Sequence, residues 1–207
     1  MRGRGTPMAE PALRRSPLET SVAAFRQVSG PALTLEAVPF ETHLSLRGDE
    51  NDVRFVTAVE SATRIPLPSQ VGAVTGSSTR AICLGPDEWL LVAPDEARQA
   101  LITSLADTLI GCHHALVDVS VSRAVIGLRG PRARDVLAKG LALDLHPSAF
   151  TAPRCAQTVF AKIGVLLEQT DEAPSYRLYV RASFAAYVAA WLIDAAPEFA
   201  SLTPARS

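Results

Sequence analysis

The chain has 207 residues, 48% of them hydrophobic and 20% charged, so it can bury a sizeable core and is not wholly disordered. Twenty basic and 21 acidic residues leave a formal net charge of −1, without the positive balance or basic stripe of a nucleic-acid binder. Cys83, Cys112 and Cys155 are widely spaced and form no CxxC pair, which argues against a disulfide framework or zinc ribbon and for a reduced, cytoplasmic setting. No apolar run approaches the roughly 20 residues of a membrane span, and the amino-terminal "MRGRGTPMAEPALRRSPLETS" lacks the apolar stretch of a signal peptide.

Residues 1–30, rich in Pro, Arg, Ser and Ala, read either as a disordered tail or as a docking arm, since "LETSVAAFRQV" carries enough apolar side chains to dock. "FETHLSLRG" then alternates as a strand does. "DENDVRFVTAVESAT" opens with acids and continues at helical spacing. "IPLPSQVGAVTGSS" reads as a loop, and "RAICLG" and "EWLLVA" as two strands joined by the turn "GPD". "PDEARQALITSLADTLIG" is expected to be a helix, capped by Asp95, striped by Leu101, Leu105 and Leu109, and closed by Gly111.

The same order then recurs. "HALVDVSVSRAVIGLRG" is a long β-rich segment, and "PRARDVLAKG" is a short helix with Pro131 first and Gly140 past its end. "RCAQTVFAKIGVLLEQT" is one strand bent at Gly164 or two strands, and "SYRLYV" is another. "SFAAYVAAWLIDA" closes the series as a helix capped by Ser183. "SLRGDENDVRFV" parallels "GLRGPRARDVLA", and "EWLLVAPDEARQALITSL" parallels "SYRLYVRASFAAYVAAWL". The expected fold is therefore α+β: two pseudo-repeated split β-α-β units, 31–112 and 113–207, with antiparallel-rich sheets and helices packed on them.

Chemistry-bearing patterns are sparse. The four histidines, His43, His113, His114 and His146, show no HxxxH, HExxH or Cys/His spacing. "LRGD" and "LRGP" carry one glycine each, which suits a turn better than a phosphate cradle. Asp87 and Glu88 are consecutive, so their side chains diverge along the chain. Asp118 interrupts an apolar run and either faces solvent or is held by hydrogen bonds, with Arg123 within reach. Trp89, leading a strand as Tyr176 does, is either core or an anchor for a partner. Trp89, Asp118, Arg123 and Arg129 are the candidate partner or seam contacts. The residues offer no catalytic, cofactor or metal set of their own.

"LGPDEWLLVAP", "LVDVSVSRAVIGLRGPRARDVLAKGLALDLHPSAF", "RCAQTVFAKIGVLL" and "SYRLYVRASFAAYVAAWL" together resemble the gamma subunit of heterotetrameric sarcosine oxidase, from about Ser16 to about Ala195. That family is in turn similar to the aminomethyltransferase (glycine-cleavage T protein) fold, whose motif like DVSxSRxxIxLxGPxAxxxL is matched by Asp118 to Leu137. Val121 stands where family members often carry His or Asp. The resemblance implies a complex with alpha, beta and delta subunits that oxidatively demethylates sarcosine to glycine. Its other products are hydrogen peroxide and, with tetrahydrofolate, 5,10-methylenetetrahydrofolate. It implies FAD, covalent FMN and NAD in alpha and beta, folate in alpha, zinc in delta, and no cofactor in this chain. An accessory, assembly-supporting role is the expectation. A free-standing folate-dependent aminomethyltransferase and a small-ligand regulatory module are the alternatives.

Overall fold

A computed structural model describes residues 14–200. Its elements fall into two antiparallel five-stranded sheets, stacked face to face, with helices on both outer surfaces.

The first sheet runs in the order β3-β4-β5-β2-β6: β2 is Glu41–Gly48, β3 Val74–Gly76, β4 Arg80–Gly85, β5 Glu88–Pro94 and β6 His114–Asp118. Alternation in "ETHLSLRG" turns Leu44 and Leu46 towards two helices, α2 (Val53–Thr63) and α3 (Arg98–Thr108). Asp52 caps α2 by accepting the Arg54 backbone N–H at 2.9 Å, as its acidic opening foretold. Phe55 and Val59 of α2 and Leu101 and Leu105 of α3 complete this core.

The second sheet runs β1-β7-β10-β9-β8: β1 is Thr34–Ala37, β7 Arg123–Arg129, β8 Arg154–Phe160, β9 Ile163–Asp171 and β10 Ser175–Arg181. Its outer face packs against α1 (Val22–Val28), α4 (Ala133–Ala138) and α5 (Ala185–Ala195). A short helix, α6 (Pro197–Ala200), follows. In the amino-terminal segment Leu18 and Phe25 are buried in this core, so residues 16–28 dock on the chain's own second sheet.

The two sheets have the same internal order once β3, β4, β5 and β2 are set against β8, β9, β10 and β7. The remaining edge strands are exchanged. β1 precedes β2 in the chain but pairs with β7, Leu35 opposite Leu128. β6 precedes β7 but pairs with β2, Leu46 opposite Leu116. The segment "HALVDVSVSRAVIGLRG" is therefore two strands in different sheets, separated by the turn at 119–122.

Other local expectations are corrected. Asp95 and Ser183 do not cap helices, because β5 and β10 each run into a 3-10 turn, 95–97 and 182–184, that places them inside the turn. Asp95 pairs instead with Arg14 at 2.9 Å. α3 ends at Thr108, and Gly111 lies beyond it at φ 82°. α4 starts at Ala133, two residues after Pro131. Of the two readings of "RCAQTVFAKIGVLLEQT", the structure has two strands, β8 and β9, joined by a two-residue hairpin at Ala161-Lys162, both left-handed (φ 44° and 76°), with Phe160 opposite Ile163. The loop "IPLPSQVGAVTGSS" contains β3.

Candidate functional site

The inward faces of the two sheets meet in a layer that is apolar at its centre, with Ile82, Leu90, Val92, Val125, Leu166 and Tyr179 in contact. Charged side chains are built into the same layer because period-2 alternation sends Glu41 and His43 of β2, Arg80 of β4, Glu168 of β9, and Arg177 and Tyr179 of β10 to this side. Arg177 donates to both Glu41 oxygens, at 2.8 and 3.1 Å. Arg80 lies 3.6 Å from Glu41 and 3.5 Å from Glu168, and donates to the Tyr179 hydroxyl at 3.1 Å. Tyr179 in turn donates to Glu168 at 2.6 Å. The network joins strands of both sheets, so it fixes their relative register as well as balancing charge.

Burial acts on each group differently. For Glu41, desolvation pushes the carboxyl up, but His43, Arg177 and Arg80 together more than offset it, and the group sits below its ordinary value. Tyr179 is raised well above its ordinary value, first by burial and then by the neighbouring Glu168 charge. His43 is 2% exposed and stands edge-on to Tyr179 at 5.6 Å between ring centres. Its Nε2 is 3.9 Å from Glu41, too long for a hydrogen bond, and neither ring nitrogen has a hydrogen-bond partner among the described residues.

The four residues singled out from sequence fall in four different places. Trp89 is 0% exposed on the helix-facing side of the first sheet, 5.8 Å from the Phe55 ring, and donates its Nε1–H to the Pro68 carbonyl at 2.7 Å. It belongs to the first core and touches neither the surface nor the sheet–sheet seam. Asp118 is held by hydrogen bonds, as one of the two readings had it, but Arg98 of α3 and not Arg123 is its partner. Ser120 donates to Asp118 through both its backbone N–H and its hydroxyl, and its Oγ accepts the His43 backbone N–H at 3.0 Å. Asp118 thus pins β6 and the following turn to β2 and α3. Burial raises its carboxyl, and the Ser120 and Arg98 contacts lower it further than that. Arg123 points into the seam, at one end of the layer. Arg129 is exposed and pairs with Glu36 across β1 and β7 at 3.1 Å.

Sequence reasoning missed the seam network. The signal was present in "GVLLEQT", where Glu168 breaks an apolar run, and in the alternate positions Glu41/His43 and Arg177/Tyr179. A polar alternate face ordinarily means solvent, and here two such faces are stacked on each other.

The comparisons with known proteins agree with this architecture. The model of the "Sarcosine oxidase, gamma subunit family" matches residues 47–198. Sarcosine oxidase subunit gamma of Corynebacterium sp. (strain U-96) is 41% identical over 194 residues, covering 91% of this chain and 93% of that protein. A chain of the heterotetrameric sarcosine oxidase from Corynebacterium sp. U-96, solved in complex with pyrrole 2-carboxylate, matches with a TM-score of 0.85 and 39% identity, over 93% of this chain and 99% of that one. The glycine cleavage system aminomethyltransferase T of Bartonella henselae shares the fold at a TM-score of 0.60 and 14% identity, but this chain covers 48% of it. On the family match and the near-full-length identity, the chain belongs to the sarcosine oxidase gamma subunit family.

Proposed function

We propose that the chain is a non-catalytic accessory subunit that assembles with alpha, beta and delta subunits in the cytoplasm and supports assembly of their complex. The complex oxidatively demethylates sarcosine to glycine, releasing hydrogen peroxide and, with tetrahydrofolate, forming 5,10-methylenetetrahydrofolate. FAD, FMN, NAD and tetrahydrofolate belong to the partner subunits in this reading. The observation that carries it is the match over 99% of a chain from a heterotetrameric sarcosine oxidase. The seam supports it too, since its buried charges are spent on one another and hold two sheets in register. A free-standing aminomethyltransferase is the alternative reading; the likeness to the T protein, at 14% identity, shows a shared fold alone.

The test is co-expression of all four subunits with and without this chain. Omission is expected to reduce recovered complex, bound flavin and sarcosine turnover together. A three-subunit complex with unchanged flavin content and turnover overturns the proposal.

A further inference from the structure

A cleft of about 450 Å³ opens at one end of the seam, beside the buried network. The half-buried Arg123 of β7 and the exposed Arg181 of β10 both line it from neighbouring strands, where they are register partners in the ladder. Lys162 reaches the same rim from the left-handed hairpin turn. Gln157 closes one wall by donating to the Leu84 carbonyl at 2.9 Å, which links the two sheets. Leu84 and Phe184 supply the apolar wall, and the Phe184 side is 41% exposed. β9 places Gly164 at an inward position, where an added Cβ would meet nothing within 4 Å, so the floor is open.

Three cations converge here, and none of them pairs with an acid among the described residues. The charge of Glu88 reaches Arg123, but Glu88 itself holds Arg47 at 2.7 Å. Elsewhere in the seam every arginine is matched: Arg177 to Glu41, and Arg80 to Glu41 and Glu168. Like charges gathered in a concave, partly desolvated space repel one another and attract a counter-ion. Burial pulls the Arg123 guanidinium below its ordinary value, a cost that a bound anion offsets. Two adjacent guanidinium groups offer the forked donors that fit a carboxylate or phosphate.

We propose that this cleft binds a small molecule bearing a carboxylate or phosphate group, its anionic end against Arg123 and Arg181 and its apolar body against Leu84 and Phe184. Lys162 closes over the anion from the rim. The site lies wholly within this chain and is independent of the assembly role above.

Inorganic phosphate and benzoate are the probes, titrated into the purified full chain and into the four-subunit complex at constant ionic strength set with chloride. Melting of the full chain is expected to rise saturably, by about 3–5 °C at ten times the dissociation constant. Arg123→Gln with Arg181→Gln is expected to abolish the rise, whereas the exposed Arg26→Gln leaves it intact. A phosphate response without a benzoate response assigns the phosphate class, and the reverse assigns the carboxylate class. Unchanged melting of the wild-type chain and complex with both probes, or a response that survives the double substitution, overturns the proposal. So does loss of the complex in the double variant with no anion effect on the full chain, because the cleft is then a subunit contact.

Discussion

Tyr179 and Cys155 share the sheet–sheet layer and are 2% and 3% exposed. Burial, with the Glu168 charge next in effect on both, holds Tyr179 well above 10.0 and pushes Cys155 from 9.0 up to about 12. The folded chain therefore keeps two protons that the unfolded chain releases first. Their contribution to stability is intact below about pH 9 and lost at higher pH, that of Cys155 as the pH climbs through about 12. Glu41 has the opposite sign. Its folded value lies below 4.5, so its contribution is present above that pH and lost as the pH falls through the depressed value. Urea unfolding across a pH series is expected to give a plateau between about pH 5 and 8.5 with a fall on either side. Cys155→Ala should soften the alkaline limb. An alkaline limb identical to wild type would count against this account of the seam.

At the scale of elements, Trp89 shows how one aromatic organises a layer. It sits on β5 between Leu46 and Cys83 of the flanking strands, against Phe55 of α2. Its removal leaves a cavity that a sheet bonded on both sides cannot collapse into. Trp89→Ala is expected to cost about 3–5 kcal/mol in denaturant unfolding, with Trp89→Phe losing less. An unchanged midpoint combined with failure to join the complex would reassign the residue to partner contact. Most strands and helices were legible from period and punctuation alone, because each half-buried element carries its own alternation. Asp95 and Ser183 misled because the cap rule assumes a clean helix start, whereas both helices grow out of a 3-10 turn. The split of 114–129 between two sheets was illegible because nothing local in "LVDVSVSRAVIG" distinguishes one long strand from two with different neighbours. The seam charges were illegible for a related reason: alternation says which residues share a face, but not what covers that face.

Across the whole molecule, the reciprocal placement of β1 and β6 ties the halves together more tightly than surface packing does. Each sheet completes one edge with a strand from the other half, and Arg177 and Glu41 bond across the stack. Fragments 1–112 and 113–207 expressed separately each lack an edge strand and half of the seam charges. We expect neither to show cooperative unfolding alone, and the two co-expressed to associate and recover it. Two independently folded fragments would mean that the exchanged strands are dispensable. Among the described residues no helix is long and apolar enough to cross a membrane.

The exchange also sets a timetable for synthesis on the ribosome. All five strands of the first sheet lie between residues 41 and 118, so that sheet has its full complement of strands before β7 is translated. β1 and the segment carrying Leu18 and Phe25 are made first, yet their docking sites on β7, α4 and α5 come some 90 to 170 residues later. The nascent chain thus carries a tethered, apolar leader that waits for its sheet. Vectorial folding completes the middle of the chain first and closes the beginning last, against the end.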